Sequence, residues 1–195
     1  MIDRNRIITA GAYIMVNGHF PFVLGTAMKR KQLVVIRVGG HREGVETPWE
    51  CAVREAWEEA WLRITPMDVP VTYSTRGAWD ELEEIDWPQD GQPRPVLIRE
   101  RPSTGEFSFM YFARATGLPM PSAEVKGLLL LKPSDVVRIC NNQITLQQYM
   151  DGGGRAMLRR NYNHQFVLEP GFQLRQLARI LELHPQLLAT AQAGA

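Results

Sequence analysis

The segment from residue 33 to residue 62 constrains the fold of this chain more than any other part. A short apolar run rich in β-branched residues, which favour strands, leads to the pair Gly39–Gly40. A helix start then follows. Thr47 can cap the helix, Pro48 suits its first position, and Glu50 lies three residues after the cap, which completes a capping box. The pattern predicts a strand, a glycine turn and a helix in immediate succession.

The predicted helix presents two contrasting faces. At about 100° per residue, Glu58 and Glu59 fall within roughly 60° on either side of Glu55. We expect the neighbouring arc to pack on the core, because it is apolar. It consists of Trp49, Ala52, Val53, Ala56, Trp57 and Ala60.

Three carboxylates on adjoining turns need a physical explanation. Like charges three or four residues apart repel, and these stand near the C-terminal end of the helix, where the helix dipole disfavours anions. One explanation is a solvated face, on which Arg54 pairs with Glu58 and water screens the remaining charge. The other is a divalent cation. Mg²⁺ prefers carboxylate oxygens, keeps several waters and takes further ligands from substrate phosphates.

The spacing of these residues resembles the Nudix box, in which a glycine, five residues, a glutamate and seven residues precede Arg-Glu-apolar-x-Glu-Glu-x-Gly-apolar. Every charged position of that motif is filled here at the right spacing, which makes the match far more specific than a lone glycine pattern. The matching residues are Gly40, Glu46, Arg54, Glu55, Ala56, Glu58, Glu59 and Leu62.

One position departs from the motif, because Trp61 stands where the family has glycine. Glycine allows a helix to end through a left-handed residue, whereas a bulky side chain is disfavoured in that conformation. We therefore expect the helix to continue towards Thr65 and to stop before Pro66. The departure removes no metal ligand.

The resemblance implies roles for the matching residues. Glu55, Glu58 and Glu59 are the expected metal-binding carboxylates, with the carbonyl of Gly39 as a further ligand, and Mg²⁺ is the expected cofactor with Mn²⁺ as a substitute. Arg54 is expected to orient the glutamates by salt bridges. Glu46 is expected to stabilise the junction between loop and helix.

The resemblance also implies the chemistry, which is hydrolysis of a diphosphate linkage assisted by the metal. A carboxylate would remove a proton from the attacking water, and Glu58, Glu59 or an acid outside the box could do so. Glu124 is the leading candidate outside the box, because it precedes the apolar run at residues 127–131. The competing interpretation is that Glu124 is an exposed loop acid.

The sequence specifies the substrate only loosely. Arg37 and Arg99 are candidates for binding phosphates, as are Arg101 and Arg114. A base could stack on Tyr73, Trp79 or Trp87. The competing interpretation of each residue is ordinary strand or loop surface. Our first hypothesis is a nucleoside diphosphate linked to another group, such as ADP-ribose or a nucleotide sugar.

The remaining segments agree with the α/β class that the resemblance implies, an α/β/α sandwich around a mixed β-sheet. Strands are predicted near residues 7–16, 33–36, 71–75, 95–100, 107–115 and 127–131, a long loop at residues 76–95, and helices near 134–140, 145–150 and beyond Pro170. We therefore divide the chain into a Nudix domain at residues 1–133 and a helical C-terminal extension at residues 134–195, packed on that domain.

Composition restricts the partners. Lys and Arg number 22 against 21 acidic residues, a net charge of +1, which gives no support to a long-range field for nucleic acid or membranes. The two cysteines lack a metal-binding spacing, and no apolar stretch approaches the roughly 18 residues that span a bilayer. We expect a cytoplasmic protein that binds a small nucleotide-like diphosphate and could form a homodimer.

Two other functions compete with hydrolysis. The first is a nucleotide sensor of the same family that binds without cleaving, although such proteins often lack box glutamates and none is missing here. The second is an interaction domain whose acidic helix binds a basic partner. It would explain the glutamates but not the glycine turn and the capped helix at matching spacing.

Overall fold

The computed structural model describes residues 3–27, 31–76, 81–88 and 91–187. Within these ranges a short 3₁₀ helix at Arg4–Arg6 precedes twelve strands and four α-helices. The strands are β1 (Ile7–Met15), β2 (Phe20–Ala27), β3 (Gln32–Ile36), β4 (Val38–His41), β5 (Ile64–Pro66), β6 (Thr72–Thr75), β7 (Glu83–Ile85), β8 (Leu97–Arg101), β9 (Glu106–Ala115), β10 (Gly127–Leu131), β11 (Arg155–Leu158) and β12 (Val167–Pro170). The helices are α1 (Pro48–Ala60), α2 (Pro133–Asn141), α3 (Leu146–Asp151) and α4 (Phe172–Leu183).

The strands form two mixed sheets. The first follows the order β4-β1-β9-β8-β6-β7, with β5 paired to β9, and the second follows β11-β10-β2-β3-β12. In the first sheet β1 pairs with β9 in parallel and with β4 in antiparallel orientation. The expected α/β class is confirmed, with two sheets where one mixed sheet was expected.

Strand β9 lies at the centre of the first sheet and is covered on both faces, as its sequence predicts. Phe109 and Tyr111 pack with α1 in one apolar core, while Met110 and Phe112 belong to a second core. The second core also includes residues of β2, β3, α2 and α4. The first sheet is therefore sandwiched between α1 and the layer that contains the second sheet and the C-terminal helices.

Helices α2, α3 and α4 agree with the three helices predicted in the C-terminal part. The same part also contains two strands that the sequence did not lead us to expect. Strand β11 pairs with β10, and β12 pairs in parallel with β3. Both strands are only four residues long, which is too short for a clear alternation of apolar and polar residues.

Several strands were also missed in the first half of the chain. Strand β2 was not predicted, and β4 includes Gly39 and Gly40, which propensity alone would assign to a turn. Strand β7 lies inside the stretch that we expected to be a long loop. Within the ranges described above, no helix is long and apolar enough to cross a membrane.

The start of α1 is as predicted, but its end is not. Thr47 accepts a hydrogen bond from the Glu50 backbone N–H, and the Glu50 side chain accepts one from the Thr47 N–H, so both halves of the capping box are present. The helix ends at Ala60, and Trp61 adopts the left-handed conformation with φ 57° and ψ 35°. The predicted continuation towards Thr65 is therefore wrong.

Burial of the following residues explains this early end. Leu62 and Ile64 are buried in the core beneath α1, and Ile64 begins strand β5, which pairs with β9. A helix continued to Thr65 would lose this pairing. Packing thus outweighs the steric cost of about 1–2 kcal/mol for a left-handed residue with a side chain.

Candidate active site

Two glycines bring the backbone of β4 against β1 and α1. Gly39 has a φ of 139° and pairs with Gly11 of β1. A Cβ atom on Gly39 would lie 2.4 Å from the Ala10 carbonyl oxygen, and one on Gly40 would lie 2.2 Å from Glu55 Oε1. Only glycine allows this approach without displacing its neighbours, so the glycine turn has a steric reason that involves a box glutamate directly.

Glu59 contacts the same turn from the last part of α1. Its Oε2 atom accepts a hydrogen bond of 2.7 Å from the backbone N–H of Gly39. Burial disfavours the charged carboxylate and raises the pKa of Glu59 to about 7, an effect that the Gly39 hydrogen bond opposes and the nearby charge of Glu55 reinforces. Glu59 is therefore held in place and able to exchange a proton near neutral pH.

Arg54 joins the carboxylates into one network. Its Nη2 and Nε atoms donate to the two oxygens of Glu46 at 3.0 and 3.2 Å, and its Nη1 atom donates to Glu55 at 3.0 Å and to Glu58 at 2.7 Å. Nη2 also donates to the carbonyl of His41 at 2.8 Å. These bonds lower the pKa of Glu46 and raise that of Arg54. Arg54 thus forms ion pairs with Glu46, Glu55 and Glu58 at once.

Glu55 and Glu58 differ in their surroundings. The Glu55 side chain is only 14% exposed, and burial raises its pKa despite the opposing contact with Arg54. The Glu58 side chain is 48% exposed. Glu55 therefore lies beneath the surface against Gly40, whereas Glu58 faces solvent beside it.

The arrangement suits a divalent cation without forming a closed cage for one. Among the residues that the structure describes, no three acidic, histidine or cysteine side chains converge on a single point, since Arg54 holds Glu55 and Glu58 while Gly39 holds Glu59. The donor chemistry nevertheless fits Mg²⁺, because the partly buried carboxylates Glu55 and Glu59 offer oxygens to a hard cation that completes its shell with water and phosphate.

Glu124 lies near this group. It is exposed, and its backbone N–H donates to Ser122 Oγ at 3.2 Å, while the Ser122 N–H donates to the carbonyl of Glu59. The charge of Glu124 contributes to the raised pKa of Glu59. The loop before β10 therefore brings Glu124 to the end of α1 that carries Glu59.

Arg37 and Arg99 line one small cavity. The cavity has a volume of about 110 Å³ and lies between the first sheet and the start of α4, with Arg101, Glu106, Ser108 and Gln173 also in its wall. Burial lowers the pKa of both Arg37 and Arg99, although an arginine stays charged at neutral pH. Two of the predicted phosphate-binding residues are thus brought together from distant parts of the sequence.

Not every candidate lies at this site. Trp79 falls outside the described residues. Arg114 is exposed on β9 and donates to Thr65 Oγ1 at 3.4 Å. Trp87 packs edge-on against Phe109 in the core beneath α1.

Sequence reasoning missed two further features of the site. Ser108 and Gln173 enter the cavity wall through strand pairing and through the position of α4, for which the sequence carries no local signal. Trp57 was expected in the core but is 46% exposed and stacks on Trp61 at a centroid distance of 5.7 Å. The unusual residue at the glycine position of the box would have been the signal for this aromatic pair.

No family model matches the chain, and no curated protein matches it. Solved structures similar to this chain include a Nudix family hydrolase from Clostridium perfringens, with 20% identity, a TM-score of 0.45 and coverage of 69% of this chain and 85% of that one. They also include the Nudix hydrolase RenU from M. smegmatis, with 14% identity, a TM-score of 0.47 and coverage of 93% and 88%. These likenesses concern overall shape only, so a functional conclusion depends on the residues of the site.

Proposed function

We propose that this chain is a Nudix-type hydrolase that cleaves the diphosphate linkage of a nucleoside diphosphate joined to a second group, with Mg²⁺ as cofactor and Mn²⁺ as a substitute. The observation that carries this proposal is the contact of two box glutamates with the glycine turn. Glu59 accepts a hydrogen bond from Gly39, and Glu55 lies where a side chain on Gly40 would collide with it.

The cation-binding residues would be Glu55, Glu58 and Glu59, with the carbonyl of Gly39 as a further ligand. A bound Mg²⁺ would neutralise charge on the diphosphate and acidify a water molecule. Glu55 and Glu59 support this assignment because burial raises the pKa of each. A cation beside such carboxylates would favour their charged form.

The residue that removes the proton from water is proposed to be Glu59, with Glu58 and Glu124 as the alternatives. Glu59 is held against the glycine turn within the group of carboxylates that would bind the cation, so it would lie beside the water that the cation acidifies. Its hydrogen bond to Gly39 fixes one oxygen and leaves the other to accept a proton. Glu124 would act from the neighbouring loop.

Arg54 is proposed to be a positioning residue. It contacts Glu46, Glu55 and Glu58 at once, so its planar fork of donors sets the spacing between helix and loop. Lysine would retain the charge but could not reproduce the paired contact with Glu46.

The proposed substrate is ADP-ribose or a nucleotide sugar as a first hypothesis. Arg37 and Arg99 would contact an anionic part of it, since they line the cavity next to the glycine turn. The stacking role proposed for Trp79 rests on the sequence alone.

A panel of diphosphate compounds tests the proposal. We expect release of nucleoside monophosphate that requires Mg²⁺ or Mn²⁺ and that disappears in Glu59→Gln. The matched control is Glu182→Gln, because Glu182 is paired with Arg179 on the surface of α4. Full turnover in Glu59→Gln, or turnover that EDTA leaves unchanged, would overturn the proposal. Binding of these compounds without any cleavage would favour the nucleotide sensor instead.

A further inference from the structure

The cavity that contains Arg37 and Arg99 carries excess positive charge. Three arginines and one glutamate, Glu106, belong to its wall, a formal net charge of +2. Glu106 lies beside Arg101, which donates to it at 3.1 Å, and it also accepts a hydrogen bond from Thr104. The one acidic side chain of the wall is thus engaged by Arg101 and Thr104. Behind the wall, the charges of Glu59 and Glu55 act on Arg37.

Arg37 is the most buried charged group of this wall. It is only 8% exposed, and its Nε atom has no hydrogen-bond partner among the residues that the structure describes. A buried charged donor without an acceptor is costly. The local fold therefore contains a guanidinium group whose hydrogen-bonding capacity is not fully used.

Arg99 repeats this feature from another strand. Its Nε atom is also buried and has no acceptor in the described parts of the chain. The Phe172 ring lies 3.9 Å from its guanidinium carbon, so an aromatic ring covers one face of the group. Since the N–H groups lie in the guanidinium plane, the ring supports Arg99 without satisfying its donors.

The cavity is connected to the box glutamates through Gly39. A Cβ atom on Gly39 would lie 2.6 Å from Arg37 Nη1, and the Gly39 N–H donates to Glu59. The same glycine therefore separates the carboxylate face from the arginine cavity. A ligand held at Glu55 and Glu59 would need to extend past this one residue to meet Arg37.

We propose that the Arg37–Arg99 cavity binds a phosphomonoester, so the substrate is a phosphorylated member of the proposed class, such as ADP-ribose 2′-phosphate, and carries a phosphate group that ADP-ribose itself lacks. A phosphomonoester has a charge of about −1.5 to −2 at neutral pH, which is opposite in sign to the formal net charge of the wall. Guanidinium groups bind phosphate oxygens in pairs with well-defined geometry. The inference deepens the proposed function and rests on it for the identity of the scissile bond.

Binding of inorganic phosphate to the metal-free protein tests the cavity by itself. In calorimetric titrations with EDTA present, we expect saturable binding that weakens about 10-fold to 100-fold in Arg37→Met and in Arg99→Met. Methionine is apolar and unbranched, and Arg99→Met keeps the test valid if the more buried Arg37→Met fails to fold. Arg114→Met, on β9 outside the cavity, is the control and should bind phosphate as the wild type does. Absent binding, or equal binding in all four proteins, would overturn the proposal.

Matched substrates test the role of the extra phosphate. ADP-ribose 2′-phosphate is compared with ADP-ribose, and coenzyme A with dephospho-coenzyme A, because the members of each pair differ by one phosphomonoester. We expect kcat/KM to favour the phosphorylated member of at least one pair by about 10-fold or more, and Arg99→Met to abolish the preference. Equal kcat/KM values within both pairs would overturn the substrate assignment. If no compound is cleaved while phosphate binding still depends on Arg37 and Arg99, the hydrolase proposal fails and the anion site stands.

Discussion

The backbone N–H of Gly39 donates a 2.7 Å hydrogen bond to Glu59 across the junction between β4 and α1. This bond fixes the carboxylate against a strand that is itself paired with β1. The same strand passes Gly40 beneath Glu55. Backbone that is held by strand pairing therefore positions Glu55 and Glu59, the two partly buried glutamates of the box.

The raised pKa of Glu59 predicts a pH-dependent stability difference between the wild type and Glu59→Gln. In the folded protein the pKa of Glu59 is about 7, against an ordinary value of 4.5 for a glutamate side chain in water. Between these two values the native state keeps a proton that the unfolded chain has released, so the contribution of Glu59 to stability falls as pH rises. In the absence of metal, we expect the free energy of unfolding of Glu59→Gln to be higher than that of the wild type by on the order of 2–3 kcal/mol at pH 8.

Urea unfolding in EDTA between pH 4.5 and pH 8 measures this difference. Near pH 4.5 the two proteins should have similar free energies of unfolding, since Glu59 is then protonated in the folded state. Carboxylates far from Glu59 titrate alike in both proteins and cancel in the comparison, whereas Glu55 and Glu124 are coupled to Glu59 and contribute part of the difference. A difference that does not change across this range would contradict the raised pKa.

Much of the local structure around the site could be predicted from the sequence because its signals are local. The Thr47–Glu50 capping box, the carboxylate face of α1 and the two-sided burial of β9 each follow from residues within a few positions of one another. These features depend on helix and strand periodicity, which a sequence displays directly. Their prediction was correct for that reason.

Arg54 is predicted to stabilise the junction of loop and helix as well as to order the glutamates. Its side chain is 22% exposed and contacts Glu46, Glu55 and Glu58. Arg54→Gln leaves Glu46 and Glu55 partly buried without their cation, so we expect a loss of about 2–4 kcal/mol in the free energy of unfolding. Urea unfolding of the wild type and of Arg54→Gln measures this loss of stability.

The control for Arg54→Gln is Arg179→Gln, which breaks an exposed pair with Glu182 on α4. We expect that change to cost at most about 1 kcal/mol. Arg54→Lys should recover part of the stability but little of the turnover, because lysine lacks the planar fork. Equal effects of Arg54→Gln and Arg179→Gln would contradict the network.

Gly40→Ala is predicted to impair the site more than the fold. The new Cβ atom would lie 2.2 Å from Glu55 Oε1, so Glu55 must move, and a displacement of about 1 Å can lower turnover about 100-fold. Gly25→Ala is the control, since its Cβ would meet the end of the flexible Ile36 side chain at 2.8 Å. Measuring kcat/KM and the thermal midpoint of both variants separates an effect on the site from an effect on the stability of the fold. Normal kcat/KM in Gly40→Ala would show that the position of Glu55 is unimportant.

The arginine cavity could not be predicted in the same way, because its walls come from distant segments. Arg99 is opposite Ser108 in the pairing of β8 with β9, and the ring of Phe172 comes from the first residue of α4. No sequence period links these residues, and only strand register and helix packing bring them together. The end of α1 was mispredicted for a similar reason, since the burial of Leu62 and Ile64 is a tertiary effect.

Trp61 provides a direct test of backbone strain at the C-terminal end of α1. It adopts a φ of 57° and is 54% exposed, with its ring stacked on Trp57. Trp61→Gly and Trp61→Ala both remove the ring, but only glycine relieves the left-handed strain. The strain of about 1–2 kcal/mol is partly offset by the greater chain entropy of glycine when unfolded. We therefore expect Trp61→Gly to be more stable than Trp61→Ala by about 1 kcal/mol in urea unfolding. Equal stability of the two variants would mean that the helix end rearranges when the ring is removed, and that the stack with Trp57 is what holds Trp61 in its conformation.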